Sequence, residues 1–178
     1  MKTIAIVLLV AALALAQKHP QSYWFDGLWQ GYDGEWTHVT RQVMALAEAT
    51  PAEKYAWRPA PGVRTFSEVY MHIAVANYWL LSVTGPKPPE GFSPDLEKTV
   101  TQKAEVLDWL KRSFEAVRTE RAKLHPADLA RKVKNGQYDA TVDGMYLRII
   151  VHANEHMGQA VAYARTAGFA PPWAKGGE

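Results

Sequence analysis

His152 and His156 stand four positions apart in the segment His152-Ala153-Asn154-Glu155-His156-Met157-Gly158-Gln159. On a helix that spacing is about one turn, roughly 6 Å of rise, so both imidazoles leave the same side and can meet one ion. Ala153 and Gly158 are small enough to leave room for close approach. Taken alone, the pair reads equally well as a hydrogen-bonded core pair. His72 adds weight, because it lies among Tyr70, Ile73, Ala76 and Trp79 on a separate helical stretch, although by itself it reads more readily as a satisfied core histidine than as a ligand. Burying several imidazoles without partners is costly, whereas a shared metal satisfies one nitrogen on each. His152-x-x-Glu155-His156 also has the spacing of the inverted zinc-protease motif, with Glu155 as general base. That motif is short, and no substrate-cleft strand accompanies it. Glu155 projects about 60° around the helix from His152. Two readings of it stay open: an acceptor for a ligand histidine, or a solvent-facing carboxylate.

The remaining histidines do not join the set. His38, beside Trp36, reads as a surface residue; His125, before Pro126, caps or leaves the third helix; His19 lies near the N-terminus. The chain has no cysteine, which removes thiolate nucleophiles and thiolate ligands. Any metal must be held by nitrogen or oxygen. Zinc is the default for histidine nitrogens in an open tetrahedral site, with nickel, iron and manganese as alternatives. If three neutral imidazoles hold one ion without a fourth protein ligand, a position is left open, where bound water or a thiol would be acidified or a carbonyl polarised.

Four amphipathic segments position these residues. The first helix is expected over about 35–49, with Val39, Val43, Leu46 and Ala47 on one side, and Thr50-Pro51 stops it. A bent connector with Pro51, Pro59, Pro61 and Gly62 follows, in which Trp57 is a candidate anchor. The second helix starts near Thr65 or Ser67 and runs to about Val83. Its apolar face combines Phe66, Val69, Tyr70, Ile73, Ala76 and Leu80 with His72 and Trp79. Gly85 to Asp95, with four prolines, is a surface crossover. The third helix spans about 101–121 on Ala104, Leu107, Leu110, Phe114 and Val117. A second long connection covers 125–141, with a turn at Asn135-Gly136. The last helix runs from about Val142 to Thr166 and ends at Gly168. No segment alternates convincingly as a strand, so the fold class is all-α, a four-helix bundle with two long connections.

The N-terminus is of a different kind. Met1-Lys2 precedes the apolar run Ile4–Ala16, and Ala14-Leu15-Ala16 offers small residues for cleavage before Gln17. The run covers roughly 20 Å as a helix, short of the roughly 30 Å hydrocarbon layer. The reading is a signal peptide over 1–16, an irregular arm over 17–34 held to the core by Trp24, Phe25 and Trp29, and one domain over 35–178. The expected location is secreted or periplasmic, without a stable membrane anchor. With 178 residues, 48% hydrophobic and 21% charged, the chain suffices for one packed domain. A net charge of +2 with no coherent basic face gives no reason to expect nucleic acid.

At this point a resemblance becomes specific. Ser67-Glu68-Val69-Tyr70-Met71-His72-Ile73-Ala74-Val75-Ala76-Asn77 resembles the second helix of the DinB-like family, which carries its first metal histidine there. The segment from His152 to Gln159 is similar to that family's last-helix signature, two histidines four apart followed by Gly-Gln. Arg58-Pro59 with Gly62, and Tyr163-Ala164-Arg165-Thr166-Ala167-Gly168, also resemble the family, and the likeness covers roughly 35–172. It implies an up-down-down-up bundle, a divalent metal on His72, His152 and His156, and frequent homodimers. It also implies a metal-dependent reaction on a small molecule, such as transfer to a low-molecular-weight thiol, and no DNA contact despite the family's name. The export signal is a departure, since the cytoplasmic thiols used by relatives are scarce outside the membrane. The expected function is therefore a metal-dependent enzyme, thiol-transferase-like or hydrolase-like, with no catalytic side chain assigned beyond the ligands. The alternative is a non-catalytic metal-binding or metal-stabilised helical module.

Overall fold

Residues 27–174 are described in the computed structural model, and four long helices carry their fold. Helix α1 (Gly31–Ala49) ends where Thr50 turns extended ahead of Pro51, as the steric restriction before proline requires. Helix α2 (Phe66–Val83) begins with a reciprocal cap. Thr65 Oγ1 accepts from the Glu68 amide at 3.2 Å, and Glu68 Oε2 accepts from the Thr65 amide at 2.7 Å. The crossover contains a one-turn helix, α3 (Leu96–Thr99), before α4 (Lys103–Ala122). After a second short helix, α5 (Pro126–Leu129), strands β1 (Lys132–Asn135) and β2 (Tyr138–Thr141) form an antiparallel hairpin. Thr141 then caps α6 (Val142–Thr166), accepting from the Gly144 amide at 3.1 Å.

The helix directions follow from contacts near their ends. Lys103, at the start of α4, donates to the carbonyls of Glu48 and Thr50 at the end of α1, at 2.6 and 2.8 Å. Its charge also complements the negative end of the α1 dipole. Trp36, near the start of α1, meets Phe114 edge-on at 5.6 Å and donates to its carbonyl. Helices α1 and α4 are thus antiparallel. Thr50 meets Tyr70 at 2.9 Å where α2 starts downward, and Asn77 donates to Ser113 at 3.1 Å, so α2 and α4 run parallel. Phe66 packs on Tyr163 near one end of α6, while Tyr32 packs on Tyr146 near its other end. The order is up-down-down-up, and the parallel pair α2–α4 is what makes a long crossover necessary.

The core lies among these four helices, with Val39, Leu46, Val69, Ile73, Leu110, Val117 and Ile149 fully buried. Trp57 anchors its connector as expected, with ring centroids 5.7 Å from Phe66 and 5.9 Å from Tyr163. Among the described residues no helix is long and apolar enough to cross a membrane.

Several expectations are corrected. Helix α1 starts at Gly31, so the end of the supposed arm is already helical. Trp29 is 88% exposed instead of packed on the core; Trp24 and Phe25 lie outside the described residues, as does the apolar run 4–16. The second connection holds the β-hairpin, whose strands are four residues each and set only the paired Val133 and Ala140 against the core. Gly136 sits at its turn with φ +61, the left-handed region that glycine reaches without penalty. Trp79 is 52% exposed, off the buried face of α2. On α4, Val106 is buried where Ala104 is exposed.

Candidate metal centre

Helices α2 and α6 pack antiparallel along much of their length, and this seam brings His72 together with the last-helix pair. His152 Nε2 lies 3.1 Å from His72 Nε2, although the residues are 80 positions apart. The three ring centroids are 4.5 to 4.9 Å apart, and one nitrogen from each ring falls within 4.8 Å of the others. Two nitrogens at tetrahedral zinc distance are separated by about 3.3 Å. The His72–His152 spacing matches that edge to within a few tenths of an ångström, and with His156 within 4.8 Å of both the three together could hold one ion.

The outward ring atoms have partners that fix which nitrogen faces the centre. His72 Nδ1 is 2.6 Å from Glu97 Oε2, and Arg64 Nε donates to Glu97 Oε1 at 2.7 Å. Arg64 Nη2 also lies 3.2 Å from His72 Nδ1. His156 Nδ1 is 2.8 Å from Gln159 Oε1, and Gln159 Nε2 donates to the Tyr163 hydroxyl at 3.0 Å. Both arrangements place Nδ1–H outward and turn Nε2 inward, the tautomer control seen around histidine ligands generally. His152 Nδ1 is buried without a hydrogen-bond partner.

Electrostatics favours the neutral rings that a metal needs. Burial, then the neighbouring His156 and His72, lowers the His152 imidazole from 6.5 to about 3. Burial also lowers His72, with the Arg64 charge adding to it and Glu97 opposing. Burial alone would raise the Glu97 carboxyl, but hydrogen bonds from Arg64 and His72 outweigh it and hold the group below its ordinary value. His152 is 7% exposed, whereas His72 and His156 are half-buried. The centre therefore sits at the rim of the core, sealed on the His152 side.

The other sequence candidates fall elsewhere. Glu155 is exposed and bound through both carboxylate oxygens to Arg148, at 3.0 and 2.9 Å, which selects the solvent-facing reading. His38 is buried, not at the surface. His125 caps the short helix α5 and is exposed; His19 lies outside the described residues. A Cβ on Gly158 would meet nothing within 4 Å, so its small size is not required for packing. Glu97 and Arg64 carry no mark in the sequence, while Gln159 and Tyr163 lie in the segments that resemble the family without a role attached to either. Helical spacing points from His156 to Gln159 and on to Tyr163. No comparable signal leads to Glu97, which lies beyond the prolines of the crossover.

Residues 35–160 match the model of the DinB superfamily. The chain belongs to the DinB superfamily. Its bundle is similar to a DinB-like protein from Bacillus cereus ATCC 10987, with a TM-score of 0.71 and 24% identity over 80% of this chain and 95% of that one. It is also similar to the DinB-like protein YjoA of Bacillus subtilis, with a TM-score of 0.56 and 18% identity over 74% of this chain and 87% of that one. At these identities the likeness shows the DinB fold alone. No curated protein matches the chain.

Proposed function

We propose that this DinB protein is an exported metal-dependent enzyme acting on a small molecule, with one divalent ion held by His72, His152 and His156. The observation that carries the reading is the convergence of three imidazole nitrogens, from two helices, within 4.8 Å. A zinc ion there would supply Lewis acidity and an open position for water, a thiol or a carbonyl oxygen. The side chains supply neutral donors and their orientation. Burial keeps a proton off His152, and Glu97 and Gln159 turn the lone pairs of His72 and His156 inward. The half-exposure of His72 and His156 leaves approach open from the solvent side. The substrate class that suits such a site is a low-molecular-weight thiol or a small hydrolysable compound. Export is supported by Met1-Lys2, the apolar run Ile4–Ala16 and the small residues before Gln17.

Metal analysis of untagged protein from metal-replete medium tests the core of this reading, with about one divalent ion per chain expected. Chelation should abolish binding of thiols or small anions, read in the spectrum of a cobalt-substituted sample. Most helical circular dichroism should survive, because the four apolar faces bury one another without the ion. Intact-mass analysis from the native host should show a chain beginning at Gln17. Metal-free protein that is fully competent for ligand, or wholesale helix loss on chelation, would overturn the enzymatic reading.

A further inference from the structure

We propose that Glu97 is a positioning residue that holds His72 in its Nδ1–H tautomer against Arg64, and so keeps Nε2 free as a donor. What Nε2 is free for rests on the metal reading above; the tautomer itself is a property of the metal-free protein.

A neutral imidazole carries one N–H and one lone pair, and the partners around the ring decide which nitrogen has which. His72 Nδ1 has two neighbours of opposite kind, Glu97 Oε2 at 2.6 Å and Arg64 Nη2 at 3.2 Å. A carboxylate can only accept and a guanidinium can only donate, so the two neighbours call for opposite tautomers. Glu97 prevails for two reasons. Its contact is much the shorter and is charge-assisted. Arg64 is also already committed, because its Nε donates to the other oxygen of the same carboxylate at 2.7 Å. With Nδ1 protonated, the neutral ring and the guanidinium are two donors sharing one carboxylate, and that shared acceptor is what makes their 3.2 Å approach tolerable.

Removing the carboxylate does more than delete a hydrogen bond. Arg64 then becomes the nearest partner of Nδ1 and can donate to its lone pair. The ring proton moves to Nε2, the nitrogen that faces His152 Nε2 at 3.1 Å. A protonated Nε2 has no lone pair to give a metal. The same Arg64 that steadies the intact site therefore opposes metal binding once Glu97 is gone, and its removal should relieve the defect. A carboxylate that merely braced the crossover would show no such reversal. Helix α3 has other attachments besides, including the Lys98–Glu68 ion pair at 3.3 Å and the buried Val100 that follows it.

The test compares wild type, E97A, E97Q, R64M and E97A/R64M. The His72 tautomer is read by long-range proton–nitrogen NMR on metal-free protein, zinc affinity by chelator competition, and folding by circular dichroism. Wild type and R64M should show Nδ1–H. E97A should show Nε2–H and bind zinc roughly 10- to 100-fold more weakly, and E97A/R64M should recover most of that loss. E97Q should fall between, since one amide oxygen must serve two donors, and it decides the matter if E97A does not fold. An Nδ1–H signal persisting in E97A, or a double variant no better than E97A, overturns the proposal. A wild type that binds no zinc would sink the proposed function, while the NMR comparison would still decide the role of Glu97.

Discussion

His152 and His72 face each other nitrogen to nitrogen at 3.1 Å, and only His72 has a partner on its far side. In the metal-free protein one Nε2 must donate to the other, and with His72 protonated at Nδ1 the donor is His152. An ion held by the three rings would need the Nε2 lone pair of His152, so the ring would stay neutral by carrying its proton on Nδ1 instead. His152→Ala removes the most buried of the three ligands and should weaken metal retention by at least an order of magnitude, whereas His125→Ala, on the exposed cap of α5, should leave it nearly unchanged. Dialysis against a chelator followed by elemental analysis separates the two. Equal retention by wild type and a His152→Ala/His156→Ala double variant would remove the site.

Glu155 lies between the paired histidines in sequence but not in space. Its carboxylate is exposed and held by Arg148. Glu155→Gln is therefore expected to leave metal affinity, and any turnover found, unchanged within a few fold. A large loss of turnover at unchanged metal content would revive the carboxylate as a general base.

Acid should destabilise the metal-free protein, and the sign follows from His152. Its imidazole titrates at about 3 when folded against an ordinary 6.5, so the unfolded chain takes up the proton first. The stabilisation is fully present above about pH 6.5 and is lost as pH falls toward about 3. His72, lowered in the same direction, adds to the loss, and the depressed Glu97 carboxyl adds more as pH falls through its folded value. Urea midpoints at several pH values between neutrality and 4 should decline steadily. A flat profile would contradict the burial of neutral imidazoles.

Two leucines calibrate the packing. Leu110 is fully buried where α4 meets the core, and Leu147 on α6 is 60% exposed. Leu110→Ala should cost about 2–5 kcal/mol through lost burial and the cavity left behind, and Leu147→Ala no more than about 0.5 kcal/mol. Chemical denaturation measures both. Comparable losses would mean that the Leu147 face of α6 is covered in solution.

Much of the site was legible because helical periodicity is local. The spacing of His152 and His156 needs only the rise of a helix, and the caps at Thr65 and Thr141 mark where the ligand helices begin. The boundaries of α2 and α6 accordingly fall close to expectation. The features that were missed depend on where distant segments meet. Trp79 and Ala104 fit an apolar stripe on their own helices, yet what covers each face is decided by neighbours. The hairpin 132–141 is held by pairing between two four-residue strands, whose single core-facing pair, Val133 and Ala140, is too short an alternation to announce it. Glu97 reaches His72 because the crossover returns to the seam, a matter of topology that leaves no periodic trace.

That two of the three histidines are separated by 80 positions sets a limit on when any ion they hold could be acquired. While the chain is being made, His72 is synthesised well before α6 exists, and a lone histidine has little hold on a metal. The complete donor set forms only once the last long helix docks in the seam. A chain that crosses a membrane unfolded would thus cross without its cargo and load it wherever folding finishes. An ion bound by such an exported chain would then record the metals of the compartment where folding finishes, not those of the compartment where translation occurs.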